Sequence, residues 1–313
     1  MSARNATTDG SFISFCCGIG GSIYGLEQAG WKCVLGIDKD PNRLISVSSQ
    51  TGLAVNTRLA DIRNIDPKEL PDVTMWECDF PAEGFRTYGK RDIDDPRNLL
   101  WKEIWRMARV KTPTVIIMTF PKDLVRGRMR GRFMEICDNF RDLHYNVQTK
   151  LLNTANYGVA IHKEVVTIIA TYFNVEKMWP KASKTQPTVK DVLKQPYNNT
   201  EIIEAYVHIQ PLMKSLKQGE TIGTKDGKLY AYGRCFWLQP ARPLIAKVAW
   251  NNVSLYHPKE NRNISIEEAK LITGLPAEYP VHGDYKIQWE GVAQSSYPPF
   301  YKQLGDSIKC GIN

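Results

Sequence analysis

The order of apolar and polar segments near the start of the chain predicts a strand, a turn, a helix and a second strand. Residues 12–15 are an apolar run, and residues 16–21 are small and rich in glycine. Residues 22–30 have the length of a short helix, and the apolar run at 34–37 ends in the carboxylate of Asp38. Short apolar runs bounded by glycines are typical of buried strands. The predicted unit therefore presents a glycine-rich turn and a carboxylate at the ends of two strands.

Later segments continue the same pattern. Residues 73–76 and 114–118 are short apolar or β-branched runs. Apolar residues at helical spacing occupy residues 98–107, and a helix-like segment covers residues 133–143. These periodicities predict two more strands, each followed by a helix.

A change in composition near residue 173 divides the chain. A polar, proline-punctuated segment begins there, and the region up to about residue 274 is aromatic and basic. We predict one domain from residues 1–173 and 275–313 and a smaller domain from residues 174–274. Asp226-Gly227 predicts a β-hairpin in the smaller domain, and Ser265 with Glu268 predicts a capping box at a helix start.

Length and composition are ordinary for a globular protein, with 313 residues of which 42% are hydrophobic and 24% are charged. No run approaches the roughly 18 apolar residues of a membrane span, and residues 1–10 lack an apolar signal core, so we expect an intracellular protein that is not secreted and not membrane-bound. The seven cysteines lack paired metal-ligand spacing, which predicts reduced thiols and no metal site. The net charge of +8 favours a polyanionic partner.

The glycine-rich turn favours a cofactor that contains an adenosine. Glycines let backbone N–H groups approach a ligand closely, and an acidic residue about 20 positions further on accepts hydrogen bonds from a ribose diol. Asp38 stands at that distance from Gly18. The spacing differs from the dinucleotide pattern G-x-G-x-x-G, so a cofactor without a pyrophosphate fits better.

Together with residues 26–31 and 40–41, this stretch resembles the first motifs of the C5-cytosine DNA methyltransferases. Further motifs of that family follow in the same order along nearly the whole chain. The resemblance implies an α/β, Rossmann-like S-adenosylmethionine-dependent methyltransferase fold: a doubly wound, mostly parallel sheet with helices on both faces. It also implies that the predicted smaller domain is a target-recognition domain.

The resemblance assigns S-adenosylmethionine, or its product S-adenosylhomocysteine, as the cofactor. Asp38 inherits the contact to the ribose, and Asp61 inherits the contact to the adenine amino group. The positions that the resemblance assigns to the cofactor are Cys16, Gly18, Ile19, Gly20, Gly21, Asp38, Lys39, Asp61, Ile62, Pro81 and Ser307.

The family's catalytic residues are replaced at three positions. Its loop reads G-G-P-P-C-Q-G-F, and the matching segment, anchored by residues 89–99, places Ala82 where the family has its nucleophilic cysteine. Thr119 stands where the family has the glutamate of E-N-V, and Val165 stands where it has the last arginine of Q-R-R-E-R, with Lys163 keeping a charge nearby. C5 of cytosine is a poor nucleophile until a thiolate has added at C6, and threonine is no general acid near neutral pH. Cytosine methylation is therefore not expected.

Other side chains near these positions are candidates for a different reaction. Cys78 lies four residues before the nucleophile position, where a packed thiol is the simpler interpretation. Asp79, Glu83, Lys122 and His162 are alternative acid, base or binding groups for another reaction on a flipped base.

Arginines next to the presumed cleft indicate contacts with a phosphate backbone, because arginine binds phosphate oxygens bidentately. Four of them fall within residues 126–132. The candidates are Arg91, Arg97, Arg126, Arg128, Arg130, Arg132 and Arg234. Double-stranded DNA is the expected partner, RNA stays open as an alternative, and a homodimer or an active methyltransferase is a further candidate partner.

Two hypotheses follow for function. The first is a DNA-binding pseudoenzyme that binds the cofactor without methylating cytosine, as a regulator, a mask over sites or a partner subunit. The second is an active base-modifying methyltransferase with altered or engineered catalytic residues.

Overall fold

The computed structural model describes residues 8–50, 55–81, 95–194, 210–225, 228–246 and 255–312. Three residues singled out from the sequence, Ala82, Glu83 and Arg91, lie outside these ranges, as does the Asp226-Gly227 turn. Within them no helix is long and apolar enough to span a membrane.

A large sheet forms the centre of the described structure. Its strands are β1 (Ser11–Phe15), β2 (Lys32–Asp38), β3 (Thr57–Leu59), β4 (Met75–Asp79), β5 (Val115–Pro121), β6 (Asn146–Asn153) and β7 (Glu164–Thr171). Their order is β3-β2-β1-β4-β5-β7-β6, and β7 alone runs in the opposite direction to the other six strands. From β1 the chain adds β2 and β3 on one side of the sheet and then returns to add β4 on the other side, so the topological switch point lies between β1 and β4. Ligands of such sheets bind at the carboxyl ends of the strands at the switch point.

Helices cover both faces of the sheet, as the resemblance implied. The α-helices of the described residues are α1 (Gly21–Gln28), α2 (Pro41–Ser48), α3 (Trp101–Lys111), α4 (Arg130–Asp142), α5 (Val189–Val192), α6 (Gln210–Ser215), α7 (Ile266–Thr273), α8 (Tyr285–Gln294) and α9 (Pro298–Ile312). Successive strand residues point to opposite faces, so Phe12 joins the apolar cluster under α1, α2 and α7 to α9, whereas Ile13 joins the cluster under α3 and α4. The fold class expected from the sequence is confirmed.

The C-terminal helix α9 packs against the N-terminal part of the fold. Trp31 Nε1 donates to the carbonyl of Gly305 (3.0 Å). At Gly25, a Cβ would lie 2.3 Å from the carbonyl oxygen of Pro298, so the absence of a side chain lets the start of α9 approach α1. The start of α9 therefore packs against α1, next to the glycine-rich turn.

A second sheet holds β8 (Thr221–Lys225), β9 (Lys228–Arg234) and β10 (Leu255–Tyr256) in the order β10-β9-β8. Strands β8 and β9 are antiparallel, which confirms the predicted hairpin. The capping box is also confirmed, since Ser265 Oγ accepts from the Glu268 N–H (3.1 Å) and Glu268 Oε2 accepts from the Ser265 N–H (2.8 Å). The domain boundaries and the target-recognition role of residues 174–274 stay predictions.

Candidate functional site

A cavity of about 320 Å³ opens at the carboxyl ends of β1, β2 and β4, at the switch point of the sheet. Cavities of about 300 Å³ or more hold small-molecule ligands. The described residues that line it are Cys16, Cys17, Gly18, Asp38, Lys39, Asp40, Arg43, Ala60, Asp61, Ile62, Arg63, Asp79, Phe80, Pro81, Pro96, Arg97, Leu100, Lys163, Ala293, Gln294, Ser295 and Ser296. Seven of the predicted cofactor positions are in this set.

Gly18 is the glycine that opens onto the cavity. Its φ of +55° is in the left-handed region, and a Cβ placed there would meet no heavy atom within 4 Å. Its N–H donates to Asp38 Oδ2 (2.9 Å), while Asp38 Oδ1 accepts from the Asp40 N–H (3.0 Å). A hydrogen bond therefore joins the glycine-rich turn directly to the carboxylate that the sequence predicted beside it.

Gly20 and Gly21 serve packing. A Cβ on Gly20 would lie 2.7 Å from Gln50 Nε2, and one on Gly21 would lie 2.1 Å from the carbonyl oxygen of Ser296. Ile19 is buried behind the turn. Neither glycine lines the cavity among the described residues. The absence of a side chain at Gly21 lets the 295–296 segment pack against α1, and its absence at Gly20 leaves room for Gln50.

Asp61 lines the cavity but is engaged with its own turn. Its carboxylate accepts from Arg63 Nε (2.9 Å), Arg63 Nη2 (2.5 Å) and the Arg63 N–H (3.0 Å). The side-chain hydrogen bond from Arg63 is the largest cause that lowers the pKa of Asp61, to about 2. Ile62, Lys39 and Pro81 share this wall, whereas Ser307, on α9, does not line the cavity.

Thr119, which the sequence predicted at the position of the family's glutamate, is hydrogen-bonded on both sides. Its Oγ1 donates to Asp79 Oδ1 (2.9 Å) and lies 2.9 Å from the hydroxyl of Tyr301. Ser296 Oγ donates to the other oxygen of Asp79, Oδ2. Burial raises the pKa of the Tyr301 hydroxyl, and the negative charge of Asp79 adds to this. A carboxylate held by two hydroxyls thus stands where β4 and β5 end.

Glu77 is a second carboxyl group directly beneath this network. It is fully buried, and its Oε2 accepts from Ser14 Oγ (2.6 Å) and Ser22 Oγ (2.9 Å). Burial, and secondly the charge of Asp79, raise its pKa from 4.5 to about 8. Sequence reasoning did not identify Glu77, because a glutamate inside an apolar strand gives no sign of its partners.

The alternative groups near the catalytic positions have ordinary partners. Cys78 is buried, and its burial raises the pKa of the thiol well above the usual value, which makes it a poor nucleophile. Lys122 pairs with Glu164 (3.0 Å), and exposed His162 lies against Asn153 (3.2 Å). Cys78, Lys122 and His162 do not line the cavity in the described part of the chain, whereas Asp79 does.

Lys163 does line the cavity, with its Nζ 5.0 Å from the centre of the Tyr297 ring. Val165 is buried in β7 opposite Pro121. Of the two residues predicted near the family's arginine position, Lys163 therefore brings a positive charge to the cavity wall and Val165 does not.

The arginine candidates divide into exposed and engaged side chains. Arg126 and Arg128 are exposed in the turns before α4, and Arg130 is exposed at its first residue. Arg132 pairs with Glu135 (2.8 Å). Arg97, on the cavity wall, pairs with Asp95 (2.7 Å).

Arg234, predicted to contact DNA, instead has a structural role. It is 7% exposed, and its guanidinium donates to the carbonyls of Leu216 (2.8 Å) and His257 (2.9 Å) and to Asn261 Oδ1 (2.8 Å). A buried arginine needs all of its donors paired, and these partners come from segments far apart in sequence. The prediction was wrong because composition does not show burial.

The chain matches the family described as C-5 cytosine-specific DNA methylase over residues 10–310. Type II methyltransferase M.HgiBI of Herpetosiphon aurantiacus is 30% identical over 228 residues, which are 71% of this chain and 50% of that protein. Type II methyltransferase M.HhaI of Haemophilus parahaemolyticus is 28% identical over 96% of this chain and 91% of that protein. The chain spans about half the length of M.HgiBI and of other relatives that it matches.

Solved structures agree on the fold. A protein encoded within an Escherichia coli prophage has a TM-score of 0.79 at 15% identity and covers 97% of this chain and 99% of its own. Methyltransferase EhMeth of Entamoeba histolytica has a TM-score of 0.72 at 14% identity, covering 99% of this chain and 100% of its own. Homologues and fold neighbours of this kind use S-adenosylmethionine as the methyl donor.

Proposed function

The chain belongs to the C-5 cytosine-specific DNA methylase family, and from this premise we propose that it binds S-adenosylmethionine and double-stranded DNA without methylating cytosine at C5. Its role is then that of a regulator, a mask over DNA sites or a partner subunit of an active methyltransferase. The observation that carries the proposal is the state of Thr119. Where the family is expected to have its glutamate, this chain has the hydroxyl group of Thr119, which is hydrogen-bonded to Asp79 and Tyr301.

The cavity fits an adenosine-containing cofactor. Gly18 leaves its wall open, Asp38 presents a carboxylate fixed by two backbone N–H groups, and Ile62 offers an apolar surface beside it. Asp38 would hold the ribose and the wall at Ile62 the adenine. The bound cofactor would supply an electrophilic methyl group, and the residues of the chain bind and orient it.

The acceptor side lacks the groups that C5 chemistry needs. Ala82 carries no thiol, and Cys78 is a buried thiol whose raised pKa keeps it protonated. Without addition at C6 the ring carbon stays a poor nucleophile, and Thr119 cannot protonate N3. Loss of both groups argues against cytosine methylation.

DNA binding is supported by charge and position. The net charge is +8, and Arg126, Arg128 and Arg130 are exposed just after β5 ends, at the edge of the sheet that holds the cavity. Arginine side chains in such a place bind phosphate oxygens and release counterions. RNA is the alternative polyanion, and a competition experiment separates the two.

A second candidate function is supported by Asp79. A carboxylate fixed by Thr119 and Ser296 at the end of β4 is a group that an altered base-modifying methyltransferase would use to orient an acceptor. This candidate retains methyl transfer but changes the atom that receives it.

One experiment separates the two candidates. Duplex DNA is incubated with the protein and S-adenosylmethionine, digested to nucleosides and examined by mass spectrometry, while binding of DNA and cofactor is measured separately. Binding with unmodified nucleosides supports the pseudoenzyme, and a methylated base other than 5-methylcytosine supports the second candidate. Appearance of 5-methylcytosine would refute the proposal.

A further inference from the structure

The carboxyl group of Glu77 connects the two ends of the glycine-rich turn. Its Oε2 accepts from Ser14 Oγ, near the end of β1, and from Ser22 Oγ, in the first turn of α1. All three side chains are completely buried. The other carboxyl oxygen, Oε1, is buried without a hydrogen-bond partner in the described chain. A single oxygen of one acid therefore holds both the strand and the helix that flank the turn.

The surroundings of Glu77 favour its neutral form. The titratable groups that face it are thiols, one carboxylate and one phenol, from the turn after β1, from β2, from β4 and from α9: Cys16, Cys17, Cys33, Cys78, Asp79 and Tyr301. Glu77 forms no ion pair with any lysine, arginine or histidine that the structure describes. A buried carboxyl group without a cationic partner keeps its proton, because a negative charge is costly away from water. Burial is accordingly the largest cause that raises its pKa to about 8.

Glu77 lies beneath one end of the cavity. In the parallel pairing of β1 with β4, Glu77 is opposite Ser14, two residues before Cys16. Since paired strands are about 4.8 Å apart and rise about 3.3 Å per residue, the Cα atoms of Glu77 and Cys16 are about 8 Å apart. Cys16 lines the cavity, and the negative charge of Glu77 is among the causes that raise the pKa of its thiol. A charge on Glu77 therefore acts on the cavity wall.

The order of the strands indicates which part of the cofactor lies above Glu77. Ile62, beside the proposed adenine position, follows β3, and Asp38, beside the proposed ribose position, ends β2. The order β3-β2-β1-β4 leaves the wall at the ends of β1 and β4 for the part that carries the sulfur and the amino acid. The two cofactor forms differ at that sulfur, because S-adenosylmethionine has a positively charged sulfonium and S-adenosylhomocysteine has a neutral thioether.

We propose that Glu77 couples cofactor binding to proton release: with a positively charged ligand in this end of the cavity, the carboxyl group gives its proton to solvent, and the carboxylate stabilises the ligand. The inference rests on the proposed cofactor binding and adds a pH dependence to it. S-adenosylmethionine then binds more tightly as pH rises, because the proton is released more readily. Binding of S-adenosylhomocysteine, whose sulfur is neutral, does not depend on Glu77 in this way.

The expected change is large enough to measure. Opposite unit charges about 8–10 Å apart in a partly shielded site change an affinity by roughly 10- to 30-fold. At about pH 6 Glu77 is protonated with and without the ligand, so its charge contributes nothing there. The gain develops as pH rises toward the pKa of about 8 and is complete above it.

Calorimetric titration of the intact chain with each ligand from pH 6 to pH 9 tests the inference. The ligands themselves titrate, so wild type is compared with Glu77→Gln at each pH. Glutamine still accepts from both serines but does not ionise. Over this range the ratio of wild-type affinity to variant affinity should rise roughly 10- to 30-fold for S-adenosylmethionine and less than about twofold for S-adenosylhomocysteine.

Glu27→Gln is the matched control. Burial raises the pKa of this carboxyl group too, but Glu27 lies at the other end of α1, where it accepts from the Cys33 N–H (3.1 Å). Its pH profile for both ligands should follow that of wild type.

Ser22→Ala gives a second measurement that keeps the carboxyl group. It removes a hydroxyl whose hydrogen bond lowers the pKa of Glu77, so the rise in affinity for S-adenosylmethionine should shift to higher pH. If Glu77→Gln does not fold, this variant decides, and an unshifted rise contradicts the inference.

The remaining outcomes separate this inference from the proposed function. The same pH dependence for S-adenosylmethionine in wild type and Glu77→Gln would overturn the inference and leave cofactor binding intact. Equal loss of both affinities at every pH in Glu77→Gln would assign Glu77 a structural role alone and overturn it as well. If neither ligand binds the folded wild-type protein, the proposed cofactor function fails too.

Discussion

Replacing Glu77 with glutamine should change how the stability of this protein depends on pH. In the folded chain Glu77 is fully buried, and its pKa is raised from 4.5 to about 8. Between these values the unfolded chain ionises the carboxyl group while the folded chain keeps it protonated. The folded state then binds the extra proton, so the contribution of Glu77 to stability falls as pH rises.

The magnitude follows from the two pKa values. Each pH unit between about 4.5 and about 8 costs the wild-type protein about 1.4 kcal/mol of unfolding free energy through Glu77. The whole interval corresponds to about 5 kcal/mol. Glutamine does not titrate, and its oxygen still accepts from Ser14 and Ser22. Its amide adds a buried donor, but that cost does not depend on pH and leaves the slope unchanged.

Urea unfolding followed by circular dichroism at pH 5, 6, 7 and 8 measures the effect. The unfolding free energy of Glu77→Gln minus that of wild type should rise by about 1.4 kcal/mol per pH unit. Glu164→Gln is the control, because the hydrogen bond from Lys122 lowers the pKa of Glu164, and the stability it contributes is lost only as pH falls below that range. Its difference curve should be flat above pH 5. A flat curve for Glu77→Gln would refute the reasoning.

Three further predictions concern the cofactor, DNA and chemistry. Asp38→Ala should weaken S-adenosylmethionine binding by about 1.5–3 kcal/mol, the usual cost of removing a charged hydrogen-bond partner, and calorimetry checks it. Replacing Arg128 and Arg130 together with alanine should reduce the slope of log affinity for DNA against log salt by about 1–2; an unchanged slope would assign both to solvent. Ala82→Cys alone should yield no 5-methylcytosine by mass spectrometry, because a missing general acid such as that at Thr119 costs about 10²- to 10⁴-fold in rate. If Ala82→Cys alone methylated cytosine, the rest of the catalytic site would be functional and the prediction would be wrong.

The sequence predicted the elements whose signals are local. The glycine turn, the apolar runs and Asp38 lie within one short segment, and the hydrogen bond from Gly18 to Asp38 joins residues whose spacing is visible in the chain. The capping box at Ser265 is of the same kind. Turn chemistry and the spacing of apolar residues depend on near neighbours, so several strands and helices could be predicted from the sequence, and the fold class followed from its resemblance.

Tertiary structure alone decided which polar groups meet. Thr119 and Asp79 are 40 residues apart, and Ser296 and Asp79 are 217 residues apart, yet one carboxylate accepts from both hydroxyls. The burial that raises the pKa of Glu77 and the carbonyls that engage Arg234 likewise come from distant segments. A residue type states what a side chain is able to donate or accept, but the distance to its partner and the loss of water around it arise only when strands and helices pack.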